Sequence, residues 1–200
     1  AKINGEAAGD YSGYSLSSSA NGDIIAIGAH TNDGNGNDAG HVRVYEWTGT
    51  AWVQKGIDIN GRGLGDQSGS SVSLNSDGTI LAIGATDSWT SMNKLGYVRV
   101  FQWNGSSWAQ KGADINGETP GDNYGKSVSL NDAGDILAIG AYKNDGNGLS
   151  AGHVRIHEWN GSSWVQKGTD IDGETASDWS GYSVSLNSDG NTVAIGAPQN

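Results

Sequence analysis

Ser183–Ala197 reads SVSLNSDGNTVAIGA, and close copies stand at Ser127–Ala141 (SVSLNDAGDILAIGA), Ser71–Ala85 (SVSLNSDGTILAIGA) and Ser15–Ala29 (SLSSSANGDIIAIGA). Each copy opens on residues that alternate apolar and polar, as a half-buried strand does. A turn follows, as at Asp77-Gly78 and Asp189-Gly190, where glycine supplies the positive φ of a tight hairpin. The apolar run at the end has strand length. The stretch therefore encodes a hairpin.

Outward from the hairpin the rest of a period takes shape. Ile3, Ile59, Ile115 and Ile171 open the same phrase at a spacing of 56 residues. After the hairpin come a Gly/Asn-rich loop and a third strand, HVRIHEW at His153–Trp159. The turn Asn160-Gly161-Ser162-Ser163 then leads to WVQKG at Trp164–Gly168, and the polar loop 169–180 returns to the start. The pattern predicts fourteen strands in sequential antiparallel order, near residues 12–18, 23–29, 41–47 and 52–56 and their shifts by 56. A four-stranded sheet cannot bury both faces by itself, whereas blades stacked around an axis cover one another. The expected fold is an all-β propeller forming a single repeat domain. Its blades are 3–58, 59–114 and 115–170, followed by a two-stranded half blade at 171–200. A β-helix is the alternative, but its coils are shorter and lack two hairpin turns per period.

Composition agrees and narrows the function. Glycine accounts for 33 of the 200 residues and proline for 2, which suits strands joined by tight turns. The formal charge of −11 opposes nucleic acid and anionic lipid, and no apolar run is long enough to insert into a membrane. Without cysteine there are no disulfides or thiolate metal sites. Few charges with much Gly, Ser, Asn, Asp and Trp suit an extracellular or cell-surface protein, and Ala1 reads as a mature or trimmed start.

The phrase G-x-S-V-S-L, D-G-x-x-x-A-I-G-A, then G-H-V-R-V-x-x-W resembles the FG-GAP repeats of integrin α-subunit propellers. It is closer still to their shorter bacterial, algal and extracellular relatives. The likeness covers the whole chain. Its "FG" positions are Ser12-Gly13, Ser68-Gly69, Tyr124-Gly125 and Ser180-Gly181. Its "GAP" positions begin at Gly28, Gly84, Gly140 and Gly196, and only Gly196-Ala197-Pro198 is complete. The resemblance implies a non-enzymatic module for adhesion or recognition, with a protein or glycan ligand at the cell surface. It also implies a calcium loop between the first two strands of a blade, but Asn187–Asn191 is too short to wrap the ion with six or more oxygens. No cofactor is expected.

Asn32–Asp38 places oxygens at alternate positions, making Asp33, Asn35 and Asn37 candidate calcium ligands. Its counterpart Asn144–Leu149 loses the third, Asp87-Ser88-Trp89 lacks the pattern, and a plain loop is the preferred reading. Arg43, Arg99 and Arg155 recur mid-strand and call for structural ion pairs, with Asp10, Asp66, Asp122 and Asp178 or Asp58, Asp114 and Asp170 as partners. Trp47/Trp52, Trp103/Trp108 and Trp159/Trp164 flank the outer turn. They are candidate glycan platforms, although packing across the hairpin is the plainer reading. Asn104 and Asn160 head glycosylation sequons, relevant in a secreted eukaryotic chain. His30, His41, His153 and His157 show no metal spacing, and near-identical blades argue against the asymmetric constellation that catalysis needs. Two further functions stay open: a glycan-binding lectin, and a structural subunit of a self-assembling extracellular polymer. The second is suggested by an open strand edge at Val193–Ala197, where further repeats or identical subunits would pair.

Overall fold

The computed structural model describes residues 2–86 and 95–200. Its regular structure is all strand. The first blade contains β1 (Ser15–Ser18), β2 (Ile24–Ala29), β3 (His41–Trp47), β4 (Trp52–Gln54) and β5 (Ile59–Asn60). The second contains β6 (Ser68–Leu74), β7 (Ile80–Ala85), β8 (Tyr97–Trp103), β9 (Trp108–Gln110) and β10 (Ile115–Asn116). The third contains β11 (Ser127–Leu130), β12 (Ile136–Ala141), β13 (His153–Trp159), β14 (Trp164–Gln166) and β15 (Ile171–Asp172). The half blade is β16 (Ser183–Leu186) and β17 (Val193–Gly196).

Each blade is the expected antiparallel meander with one addition. β4 pairs with the end of β3 through Trp47–Trp52, whereas β5 pairs with its start through Val42–Ile59. The repeat phrase that opens at Ile59 or Ile115 therefore completes the sheet of the blade before it. Two residues are too few to show periodicity, so these strands have no signature in the sequence.

Burial explains the apolar run. Leu81 and Ile83 of β7 pack with Ile24, Ala26, Val42 and Val44 of the first blade. Their neighbours Ile80 and Ala82 point the other way, to Val128, Leu130, Leu137 and Ile139 of the third. A strand covered on both faces has no polar side, so it reads as continuous hydrophobe.

The innermost strands β1, β6, β11 and β16 stand side by side without pairing. Serine side chains join them instead. Ser15, Ser71 and Ser127 donate to the carbonyls of Gly69, Gly125 and Gly181 at 2.7–2.8 Å. Ser17, Ser73 and Ser129 accept from the amides of Leu74, Leu130 and Leu186 at 2.9–3.0 Å. This close approach requires glycine: a Cβ on Gly84 would lie 2.1 Å from the Gly125 oxygen.

Candidate functional site

The recurring tryptophans hold blades together. Trp108 Nε1 donates to the Lys55 carbonyl and Trp164 Nε1 to that of Lys111, both at 2.9 Å, so each hairpin leans on the preceding blade. The Lys55 ammonium lies 4.8 Å from the Trp103 ring centre and that of Lys111 lies 5.1 Å from Trp159. The paired rings of Trp47 and Trp52 meet at 5.4 Å, tilted like the others. All six are half-buried. The Asn104 and Asn160 side-chain oxygens accept from backbone amides at Ser106–Ser107 and Ser162–Ser163, closing the turns.

The candidate calcium residues have separate partners. Asn35 donates to the Gly61 carbonyl at 2.7 Å, Asn37 donates to Asp33, and Asp33 accepts from the Asp38 amide. The side chains lock the loop to itself and to the next repeat. Asp87, Ser88 and Trp89 lie outside the described residues.

The arginines differ among blades. Arg155 is buried and forms two hydrogen bonds to Asp170, at 2.8 and 3.0 Å, and one ion pair with Glu118. Arg43 is buried, donates to the Asn4 carbonyl at 3.0 Å and faces Glu6 at 3.6 Å. Arg99 departs from the expected ion pair, having no carboxylate partner among the described residues. It is half-buried, donates to the Asn60 carbonyl at 2.6 Å and leaves Nε without a partner. The reason is Arg62, which takes the place of Glu6 and Glu118 and pairs with Asp114 at 2.7 Å. Among the described residues Asp10, Asp66, Asp122 and Asp178 form no ion pair with Arg43, Arg99 or Arg155, although Asp66 lies 4.0 Å from Arg62. Asp10, Asp66 and Asp178 accept from the amides of Ala7, Gly63 and Thr175, capping the incoming loops, and Asp122 accepts from Asn144.

Glu6, His41 and Asp58 come together in the first blade and Glu118, His153 and Asp170 in the third. Both histidines are buried, and burial lowers their pKa below the ordinary 6.5. In the second blade Tyr97 replaces the histidine and Arg62 the glutamate, with the guanidinium stacked 3.6 Å from the ring centre. The two positions change together.

What remains after these roles is a small set of positions where the repeats disagree. Positions 14, 70, 126 and 182 hold Tyr, Ser, Lys and Tyr. Positions 30, 86, 142 and 198 hold His, Thr, Tyr and Pro. Positions 11, 67, 123 and 179 hold Tyr, Gln, Asn and Trp. All adjoin the same end of the two inner strands, so they converge on one mouth of the axis. Lys126 crosses to the first blade, where its ammonium donates to the Tyr14 hydroxyl at 3.3 Å and lies 5.7 Å from that ring centre. It lies 5.3 Å from the Tyr182 ring, and among the described residues it has no ion-pair partner. Tyr142 meets Trp179 and Tyr182 edge-on, while Tyr14 lies 4.0 Å from His30. Burial raises the Tyr142 pKa and lowers that of His30, whose Nδ1 is buried without a partner.

The mouth also stores strain. Tyr11, Gln67, Asn123 and Trp179 all have φ between 52° and 60°. Of these types only asparagine enters the left-handed region readily, and holding the others there costs on the order of 1–3 kcal/mol each. Sequence reading missed this site. Its signal was disagreement between repeats, together with bulky aromatics at those positions.

No family model matches the sequence, and no curated protein is significantly similar to it. Among solved structures, a candidate 6-phosphogluconolactonase of Bacteroides uniformis aligns at TM-score 0.60 with 11% identity, over 90% of this chain and 46% of its own. The hydrazine synthase of Kuenenia stuttgartiensis aligns at 0.59 with 16% identity, over 91% and 49%. The Dos1 propeller aligns at 0.52 with 13% identity, over 90% and 41%. The chain spans less than half the length of each. At such identities the likeness concerns fold, so enzymes among these structures lend no activity to this chain. Its meander blades, two-sided cores and side-by-side inner strands make the chain a β-propeller.

Proposed function

We propose that this propeller is a non-enzymatic recognition module of FG-GAP type, from an extracellular or cell-surface protein, and that its protein or glycan ligand seats at the axial mouth. One observation carries the reading. The serine and glycine contacts between inner strands and the tryptophan pairs recur from blade to blade, whereas the side chains that meet at the mouth differ, producing one asymmetric, aromatic, partly exposed site. Binding fits better than chemistry, because the Lys126 ammonium rests on a phenol and, among the described residues, nothing bonds the buried Nδ1 of His30 to orient the ring as a base. The Trp pairs are less suited to a ligand, since Trp108 and Trp164 already spend their N–H groups on the neighbouring blade.

Arrays of glycans and of surface proteins, probed with the wild type and with a Tyr14→Ala, Tyr182→Ala variant, test the reading. The variant should lose the wild type's ligand while keeping its melting temperature. A ligand retained by this variant and lost on Trp47→Ala would move the site to the outer turns.

A second reading, a structural or self-assembling subunit, draws on β17. Among the described residues this strand pairs only with β16, so its far edge offers unpaired backbone groups. Further repeats or identical copies would pair there, at 193–197. Sedimentation of the 200-residue chain as a stable 20.6 kDa monomer at high concentration counts against identical copies as that partner.

A further inference from the structure

The mouth has properties that blade stability does not require. Lys126 is a half-buried cation with no counter-ion among the described residues, in a chain of formal charge −11. Tyr14 and Tyr182 offer a partial substitute through their rings and the Tyr14 hydroxyl, but an anion would satisfy the ammonium better. Around it stand exposed ring faces. Tyr11 is 66% exposed, Tyr14 51% and Tyr182 42%. At the second blade the smaller Ser70 stands at the position of Tyr14, Lys126 and Tyr182 and shares a hydrogen bond with Thr86 at 3.1 Å.

We propose that the mouth takes an acidic saccharide, its carboxylate or sulfate on the Lys126 ammonium and its sugar faces against Tyr14, Tyr182 and Trp179. This inference rests on the recognition reading and narrows it to one ligand class. The C–H face of a pyranose is apolar and its rim is hydroxylated, which matches an aromatic side chain with a flat face and a polar tip. A peptide would instead seek main-chain partners. The mouth offers few, because its amides are already spent: Gly13 on Gly28, Tyr14 on Tyr11, Gly125 on Gly140, Lys126 on Asn123 and Tyr182 on Trp179. The recognition surface is therefore made of side chains.

Calorimetry on the 200-residue chain tests the proposal with four probes. These are an oligogalacturonate, its methyl ester, a sulfated galactan oligosaccharide and a polyglutamate of equal charge. One or both acidic saccharides should bind, and which of them binds identifies carboxylate or sulfate as the anion. For a uronate ligand, esterification should weaken binding by about tenfold or more, the usual weight of a hydrogen bond to a charged group. Lys126→Gln should weaken either acidic ligand by about as much. Tyr182→Ala should also weaken binding, with the melting temperature kept. The proposal fails if neither acidic saccharide binds, if ester and acid bind alike, if Lys126→Gln has no effect, or if polyglutamate binds as well. A neutral glycan or a protein lost on Tyr14→Ala, Tyr182→Ala would overturn the acidic-saccharide inference and leave recognition at the mouth standing. Absence of any mouth-dependent ligand would overturn both.

Discussion

Arg62 shows what one side chain can do to a repeat. It brings a cation to the place of Glu6 and Glu118, draws Asp114 to itself and leaves Arg99 half-buried on a carbonyl. The arginines should therefore differ in their weight. Arg155→Met removes the two hydrogen bonds to Asp170, which stays partly solvated, and should cost about 2–3 kcal/mol, while Arg99→Met should cost about 1 kcal/mol, read from denaturant midpoints. Equal losses would show that the carboxylates are immaterial. Tyr11 tests the strain at the mouth. Tyr11→Asn relieves a positive φ and should stabilise by about 1 kcal/mol while weakening ligand binding. A lower melting temperature would deny the strain. His157 sets the acid response. It occupies the position of Tyr45 and Phe101, and burial pushes its pKa down to about 4. The unfolded chain takes up this proton near pH 6.5, so stability should be complete above that value. It should fall by about 3 kcal/mol as the pH drops towards 4. His157→Phe should flatten that slope, and an unchanged slope would remove His157 as its cause.

At the scale of elements, the paired swap across blades gives a direct test. His41→Tyr alone should destabilise the first blade, because the larger ring meets Glu6 rather than an arginine. Adding Glu6→Arg recreates the Arg62–Tyr97 stack and should recover most of the loss in a double-mutant cycle. Additive effects would mean that the two positions are independent. The same scale shows how much was legible in the sequence. The hairpins were readable because a strand buried on both faces and an Asp-Gly turn each leave a pattern. The strands at Ile59 and Ile115 were not, because two residues cannot show a period. Arg43 and Arg155 stood out as mid-strand charges, but Glu6 and Glu118 lie in loops where a glutamate attracts no notice. Tyr14, Lys126 and Tyr182 were hidden for the opposite reason. Reading for repetition treats disagreement as noise, and the mouth is built from the disagreements.

For the whole molecule, the serine contacts between inner strands set a rule. Ser17 and Leu74 are 57 residues apart, as are Ser73 and Leu130 and then Ser129 and Leu186. Every blade is therefore joined to the next by the same pair of bonds in the same places. A break in one blade and a break one period later have interchangeable ends. Excising residues 59–114 would bring Ser15 to Gly125 and Ser17 to Leu130, with each donor meeting an acceptor of its own kind. Such a chain should still melt cooperatively, whereas removing one residue fewer should not. This is how unequal crossing-over between tandem gene segments can lengthen or shorten a protein without unfolding it. Each such event would also change which side chains become neighbours around the axis. Here the excision would take Ser70 and Thr86 out of the mouth and put Lys126 and Tyr14 on adjacent blades, so a change in copy number would act at once as a change in specificity.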